Sequence, residues 1–221
     1  MSSTGVSIDS VLFVVSGPGG VGKTSLVEAW RQAEPDLGYA TSVTSRAPRQ
    51  KLENYHHVSE DEFRAMVARD EFVQWINPYG EYFGTPHQPI RDAIAEGRDM
   101  VFDYVPEGLL NLRRSYRDHV VGIFIMAPTL DVMRARLEAR GTEAAGEVEI
   151  RYEMALQDFD FIDSHEYHLV NEDFEATLRT LRAIRAAEHA RVSRMKGIPF
   201  RAHARKALLR YYDVPKVGAG A

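Results

Sequence analysis

A chain of 221 residues is long enough for one generous domain, or a core with inserted subdomains, and can bury a substantial core. Apolar residues make up 44% and charged residues 27%, which excludes a disordered chain, and the formal net charge of −5 argues against a generally nucleic-acid-binding surface. Cysteine is absent, which excludes disulfides, thiol nucleophiles and thiolate zinc sites and fits a cytoplasmic protein.

No apolar run approaches the roughly 20 residues of a membrane span, and MSSTGVSIDS has no basic stretch before its apolar run, so neither a membrane segment nor a signal peptide is expected. VLFVV, residues 11–15, reads as a buried strand that stops at a glycine-rich turn. A helical pattern follows over residues 23–33 and is closed by Pro35. Next come SRAPRQKLENYHHVS, a helix over about 60–69 with Ser59 and Glu62 as its capping box, and EFVQWINPYGEYFGTP. Thr85 is expected to cap a following helix, with Pro86 in its first turn and Gly97 after its end. DMVFD and VVGIFIMA read as further buried strands, each followed by a helix. Continuous apolar runs alternating with helices predict a parallel sheet covered on both faces. MRARLEARGTEAAGEVEIRYEMAL is arginine-rich and interrupted by Gly141 and Gly146, which predicts two helices with a mobile connection. YHLVN is a last strand and residues 174–190 a last helix; the basic stretch after them reads as a solvated helix packed on the core and a frayed tail, with a contact to an anionic partner or a second copy as the alternative.

GPGGVGKT, residues 17–24, fits G-x-x-x-x-G-K-[ST] between a buried strand and a helix. Gly17, Gly19, Gly20, Val21, Gly22 and Ser25 belong to the expected cradle, whose backbone N–H groups turn inward around phosphate oxygens. Lys23 reaches the β- and γ-phosphates of ATP, and Thr24 offers its hydroxyl to Mg²⁺. Asp103, at the carboxyl end of its strand, either holds the water shell of Mg²⁺ or caps the next helix.

Beyond this loop the order of motifs resembles the guanylate kinase family over about residues 11–190. SGPGGVGKTS, TSRAPR, YHHVSEDEF, GEYFGTP, FIMAPTLDVMRARLEARGTE, an arginine after VEI, and LVNEDFEATL carry the resemblance. It implies an α/β fold: a P-loop NTPase core with a parallel sheet flanked by helices, an inserted NMP-binding subdomain and a lid. On this reading residues 1–190 form one domain, with core segments 8–44, 96–130 and 153–190, the NMP-binding subdomain over 45–95 and the lid over 131–152. Residues 191–221 form a basic extension. The resemblance also implies that Arg46, Arg49 and Tyr55 bind the acceptor phosphate, that Arg136, Arg140 and Arg151 are lid arginines, and that Asn171 approaches the donor adenine. Guanidinium forks suit phosphate oxygens. Each residue also has a plainer reading: a solvated arginine on a helix, or a tyrosine in the core.

The base-reading positions depart from the family. Gln74 stands where the family commonly has a glutamate, Phe83 replaces a phosphate-binding tyrosine, and Val105 replaces the second aspartate of a DID-like segment. Ser42 and Thr85 keep their hydroxyls in position, and the loop between Arg49 and Tyr55 is shorter than usual. A carboxylate accepts from guanine's N1–H and 2-amino group, whereas a glutamine puts a donor against one of them. Losing both carboxylates is expected to weaken guanine binding by several kcal/mol, at about 1–3 kcal/mol per lost buried partner.

The expected activity is transfer of the γ-phosphoryl group of ATP to a small phosphate-bearing acceptor, by default GMP or dGMP. A ribose 1,5-bisphosphate kinase, a kinase of a different or modified nucleotide, and an inactive guanylate-kinase-like module that docks a protein are the alternatives.

Overall fold

The structure is a computed structural model that describes residues 7–48, 55–77, 80–139 and 147–196. In its first part, β1 (Ser7–Ile8), β2 (Leu12–Ser16), α1 (Lys23–Ala33), β3 (Gly38–Tyr39) and β4 (Ser42–Thr44) follow one another. The middle adds β5 (Tyr55–His57), α2 (Glu60–Ala68), β6 (Phe72–Ile76), β7 (Phe83–Pro86), α3 (His87–Glu96) and β8 (Met100–Asp103). Then come α4 (Pro106–Tyr116), β9 (Val120–Met126), α5 (Leu130–Glu138), α6 (Glu147–Gln157), β10 (Tyr167–Val170), α7 (Phe174–His189) and β11 (Met195–Lys196). A 3₁₀ helix over Asp158–Ser164 links α6 to β10.

Five strands form the core sheet in the order β10-β9-β2-β8-β3, every pair parallel. Side chains alternate across a strand, so an apolar run has both faces to bury. Along β2, Phe13 and Val15 join Leu26, Trp30 and Leu181 in one cluster, from α1 and α7. Leu12 and Val14 join Ile90, Ala93, Leu109 and Leu112 in the other, from α3 and α4. The expected two-faced parallel sheet is therefore the observed one.

The second sheet has the order β5-β4-β7-β6, with β4–β5 parallel and the other two pairs antiparallel. Its back is apolar: Val43, Phe63 and Phe72 pack together beneath α2, and the rings of Phe63 and Phe72 stack at 4.5 Å. Sheet pairing starts this unit at Ser42, before residue 45, and Ile90 and Ala93 pack α3 on the core.

Some local expectations change. Ser59 caps α2 through its Oγ, which accepts from the Glu62 N–H at 3.1 Å, but the Glu62 carboxylate turns to Arg69 instead of closing the box. Thr85 does not cap α3. It is the third residue of β7, 3% exposed, and its hydroxyl faces Tyr104; Pro86 takes the cap position and Gly97 closes the helix in the left-handed conformation. A Thr-Pro pair serves a strand end as well as a helix start, and here pairing with β6 decides.

The stretch after residue 190 begins as part of the core. A 3₁₀ turn over Val192–Arg194 leads into β11, which pairs antiparallel with β1. Arg194 lies on the fully buried Glu188, which also accepts from Tyr167 and Arg191. Burial opposes the charge on Glu188, but these donors hold its carboxyl below the usual range. Residues 197–221 lie outside the described residues.

Candidate functional site

The glycine-rich loop leaves the buried strand β2 and ends at α1. Its turns need glycine. Gly17 has φ +131, and a Cβ there would meet the Ile125 carbonyl oxygen at 2.3 Å. Gly20 has φ +81 and would place a Cβ 2.9 Å from the Met133 carbonyl oxygen. Gly22, in the left-handed conformation, is the N-cap of α1 and leaves that end without a side-chain cap. The first N–H groups of a helix need an acceptor, and an anion supplies one.

Three contacts set the loop's shape. Lys23 Nζ donates to the carbonyls of Gly17 at 2.5 Å and Pro18 at 2.7 Å. The buried side chain of Asn171 donates to the Val21 carbonyl at 2.7 Å, and both Nη atoms of Arg136 reach the Asn171 carbonyl at 3.3 Å. Asn171 thus braces the loop from behind. The sequence did not suggest the third contact. Ser16, fully buried at the mouth of the loop, has its Oγ 2.5 Å from His165 Nε2. The other ring nitrogen, Nδ1, faces the Phe161 carbonyl at 2.9 Å, so it carries the proton and Nε2 accepts from Ser16. Burial keeps His165 below its ordinary value, which favours this neutral form.

Thr24 Oγ1 donates to Asp103 Oδ2 at 2.6 Å. The pair brings a hydroxyl and a carboxylate together at the carboxyl end of β8, beside the loop. Among the described residues there is no group of three or more His, Asp or Glu that could hold a metal by itself. A hard cation at Thr24 and Asp103 would therefore draw its remaining ligands from phosphate oxygens and water. Asp158, at the start of the 3₁₀ helix, was also missed. Burial pushes its carboxyl up to about 6, opposed by the charge of Lys23 and assisted by that of Glu107.

The front of the small sheet carries the other group. Directly opposed strand residues share a face, and the register pairs Ser42 with Tyr55, Thr44 with Phe83 and Gln74 with Thr85. With alternation along each strand, Ser42, Tyr55, Phe83, Thr85 and Gln74 all point away from the α2 cluster. Arg46 lies over this face, its guanidinium carbon 5.6 Å from the Tyr55 ring and 5.4 Å from the Phe83 ring. The two rings meet edge to face at 5.7 Å. Burial raises the phenol of Tyr39, on β3, above its ordinary value, and the charge of Asp103 adds to the rise.

Behind the face stand two further residues without a sequence signal. Tyr104 O–H donates to Thr85 Oγ1 at 2.8 Å, and Asn111 Nδ2 donates to Gln74 Oε1 at 3.2 Å. Val105, the N-cap of α4, is 61% exposed. Trp75 points to the other side, against Tyr82, and is 46% exposed.

Of the expected lid arginines, Arg136 is on α5 and Arg151 is exposed on α6. Arg134 ties the two helices together through Glu149 and lies over the Tyr152 ring. Arg140, the connection around it and Arg49 lie outside the described residues. No helix among the described residues is long and apolar enough to cross a membrane.

A family model described as guanylate kinase matches residues 10–188. A guanylate kinase of Caldanaerobacter subterraneus subsp. tengcongensis is 34% identical over 191 residues, covering 85% of this chain and 92% of that protein. One of Ruegeria pomeroyi is 32% identical over 208 residues, covering 92% and 97%. Among solved structures, the guanylate kinase from Anaplasma phagocytophilum has the same fold, with a TM-score of 0.67 at 24% identity over 94% of this chain and 97% of that one. The chain belongs to the guanylate kinase family and is an ATP-dependent phosphotransferase with a phosphate group as acceptor.

Proposed function

We propose that the acceptor is a nucleoside monophosphate, GMP or dGMP, and that it lies on the front of the small sheet. The observation that carries this is the shared face of Ser42, Tyr55, Phe83, Thr85 and Gln74, with Arg46 over its two rings. A guanidinium supported by aromatic rings suits a phosphate at one end, and amide and hydroxyl groups suit a base at the other. The curated relatives named above are guanylate kinases, which favours GMP as the acceptor.

In the proposed reaction an oxygen of the acceptor phosphate attacks the γ-phosphorus. A bond forms there as the bond from that phosphorus to the β–γ bridging oxygen breaks, and ADP leaves. A phosphate monoester is already a nucleophile at neutral pH, so no general base is assigned. Arg46, Arg49 and Tyr55 hold the acceptor phosphate. Lys23 exchanges its two loop carbonyls for phosphate oxygens, and Arg136, Arg140 and Arg151 spread positive charge around the moving group. Asn171 shapes the loop on which ATP sits. Thr24 and Asp103 fit Mg²⁺, because both offer hard oxygen atoms from one spot. When bound, the ion neutralises charge that builds on the phosphate oxygens. Closure of the lid over 131–152 excludes water. A cytoplasmic setting goes with this reading.

The test is ATP consumption with GMP, dGMP, AMP, CMP, UMP, dTMP and ribose 1,5-bisphosphate. Preferred turnover of GMP or dGMP is expected. Preferred turnover of the sugar bisphosphate, or of none of them, would overturn the proposal.

A further inference from the structure

The hydrogen bonds behind Gln74 decide which end of its amide faces the acceptor. Arg114 Nη1 donates to Asn111 Oδ1 at 3.2 Å, and Asn111 Nδ2 donates to Gln74 Oε1 at 3.2 Å. A guanidinium has donors only, so Asn111 must turn its carbonyl to Arg114. Its NH₂ then faces Gln74 and must meet the carbonyl oxygen there. Gln74 is left with Nε2, which has no partner among the described residues.

Thr85 is biased the same way. Its Oγ1 accepts from Tyr104, so its own hydrogen remains to donate. Gln74 and Thr85 sit directly opposite one another in the sheet. The base end of the face therefore presents two neighbouring donors. Val105, exposed at the start of α4, adds no acceptor.

We infer that this chain reads the carbonyl oxygen of a 6-oxopurine and leaves the 2-position of the base unread. The inference rests on the proposed nucleoside monophosphate kinase activity and names its substrate class. Guanine's N1–H and 2-amino groups are donors and would oppose the donors of Gln74 and Thr85. Its O6 is an acceptor and satisfies them. A 6-aminopurine sets an amino group where a 6-oxopurine has its oxygen and offers only ring nitrogen N1 as an acceptor on that edge, so at most one of the two donors is met and it is disfavoured. Hypoxanthine differs from guanine only in lacking the 2-amino group, which neither position 74 nor position 105 accepts. IMP is therefore a substrate on nearly the same terms as GMP. Asn111 and Arg114 act through Gln74 as positioning residues.

The experiment compares kcat/KM for GMP, IMP and AMP on one preparation of the full chain with ATP. GMP and IMP are expected within about fivefold of each other, and AMP at least about a hundredfold below both. Asn111→Asp replaces the donor behind Gln74 by an acceptor while keeping a partner for Arg114. Gln74 then turns its NH₂ back and offers Oε1 to the base, and the preference for GMP over IMP rises by about tenfold or more. Gln74→Glu gives the same rise without a flip. The ratio of two substrates on one preparation is insensitive to a partly unfolded variant. A wild-type preference for GMP over IMP of about a hundredfold or more contradicts the inference, as does a ratio that neither variant moves. GMP turnover with IMP refused defeats this inference and leaves the kinase reading intact. Refusal of every 6-oxopurine with turnover of another acceptor defeats the proposed GMP or dGMP acceptor itself.

Discussion

At the loop end of the cleft, backbone and buried side chains set the site: glycines that exclude a Cβ, Asn171 on the Val21 carbonyl, and Ser16 on a neutral His165. At the small-sheet end, the corresponding groups are side chains on a half-exposed face: Gln74, Tyr55, Phe83 and Arg46. On the proposed reading the first arrangement binds what every phosphoryl donor shares, and a backbone cradle tolerates little change. On the same proposal the second discriminates among acceptors, and one side chain can change its preference without disturbing the fold. Family membership therefore fixes the donor chemistry here more firmly than it fixes the base that is read.

Changes at the two ends should separate cleanly. The largest effect is expected from Lys23→Ala, with a loss of kcat of about 10³-fold or more for every acceptor, since it removes charge from the moving phosphoryl itself. Thermal unfolding should stay close to wild type. A loss confined to one acceptor would argue against the donor role.

Arg46→Lys breaks the acceptor end instead. A lysine lacks the planar fork and the stacking on Tyr55 and Phe83. We expect kcat/KM for the acceptor to fall by about 10- to 100-fold, with the Michaelis constant for ATP within about twofold. Equal damage to both substrates would mean that Arg46 acts through folding.

The smallest effect is one of stability. The Asp158 carboxyl is raised from 3.8 to about 6, mainly by burial. A raised carboxyl holds its proton more tightly in the folded chain, so its contribution is full below the unfolded value and is lost as pH rises to about 6. Asp158→Asn should therefore gain on wild type as pH rises through this window. Because the group is half-exposed, the gain at pH 7 is about 1 kcal/mol or less. Melting temperature measured against pH for both proteins checks this, and parallel curves would contradict it.

The sequence exposed the donor end readily because its signals are local. VLFVV, the glycines and Lys23 adjoin one another, and strand, turn and helix each leave their own pattern there. The core sheet was legible for the same reason. The front of the small sheet became legible only in part. Ser42, Tyr55, Phe83, Thr85 and Gln74 share a face because of strand register, which single-sequence periodicity does not set across separate segments. Thr85 shows the cost: its Thr-Pro signal fits a helix cap, but pairing with Gln74 keeps it in a strand. Asn111 gave no sign, since a polar residue on a helix looks solvated until Gln74 is placed beside it from 37 positions away. The Ser16–His165 contact spans 149 positions, and the β1–β11 pair joins opposite ends of the described chain.

The most direct test of the account is acceptor-dependent ADP release by the unmodified chain, with GMP and ribose 1,5-bisphosphate as competing acceptors and the products identified. The account predicts GDP as the main product, with a Michaelis constant for GMP above the micromolar range because no carboxylate at position 74 or 105 holds the base. A ribose carrying a diphosphate at one position and a phosphate at the other as the main product would contradict it.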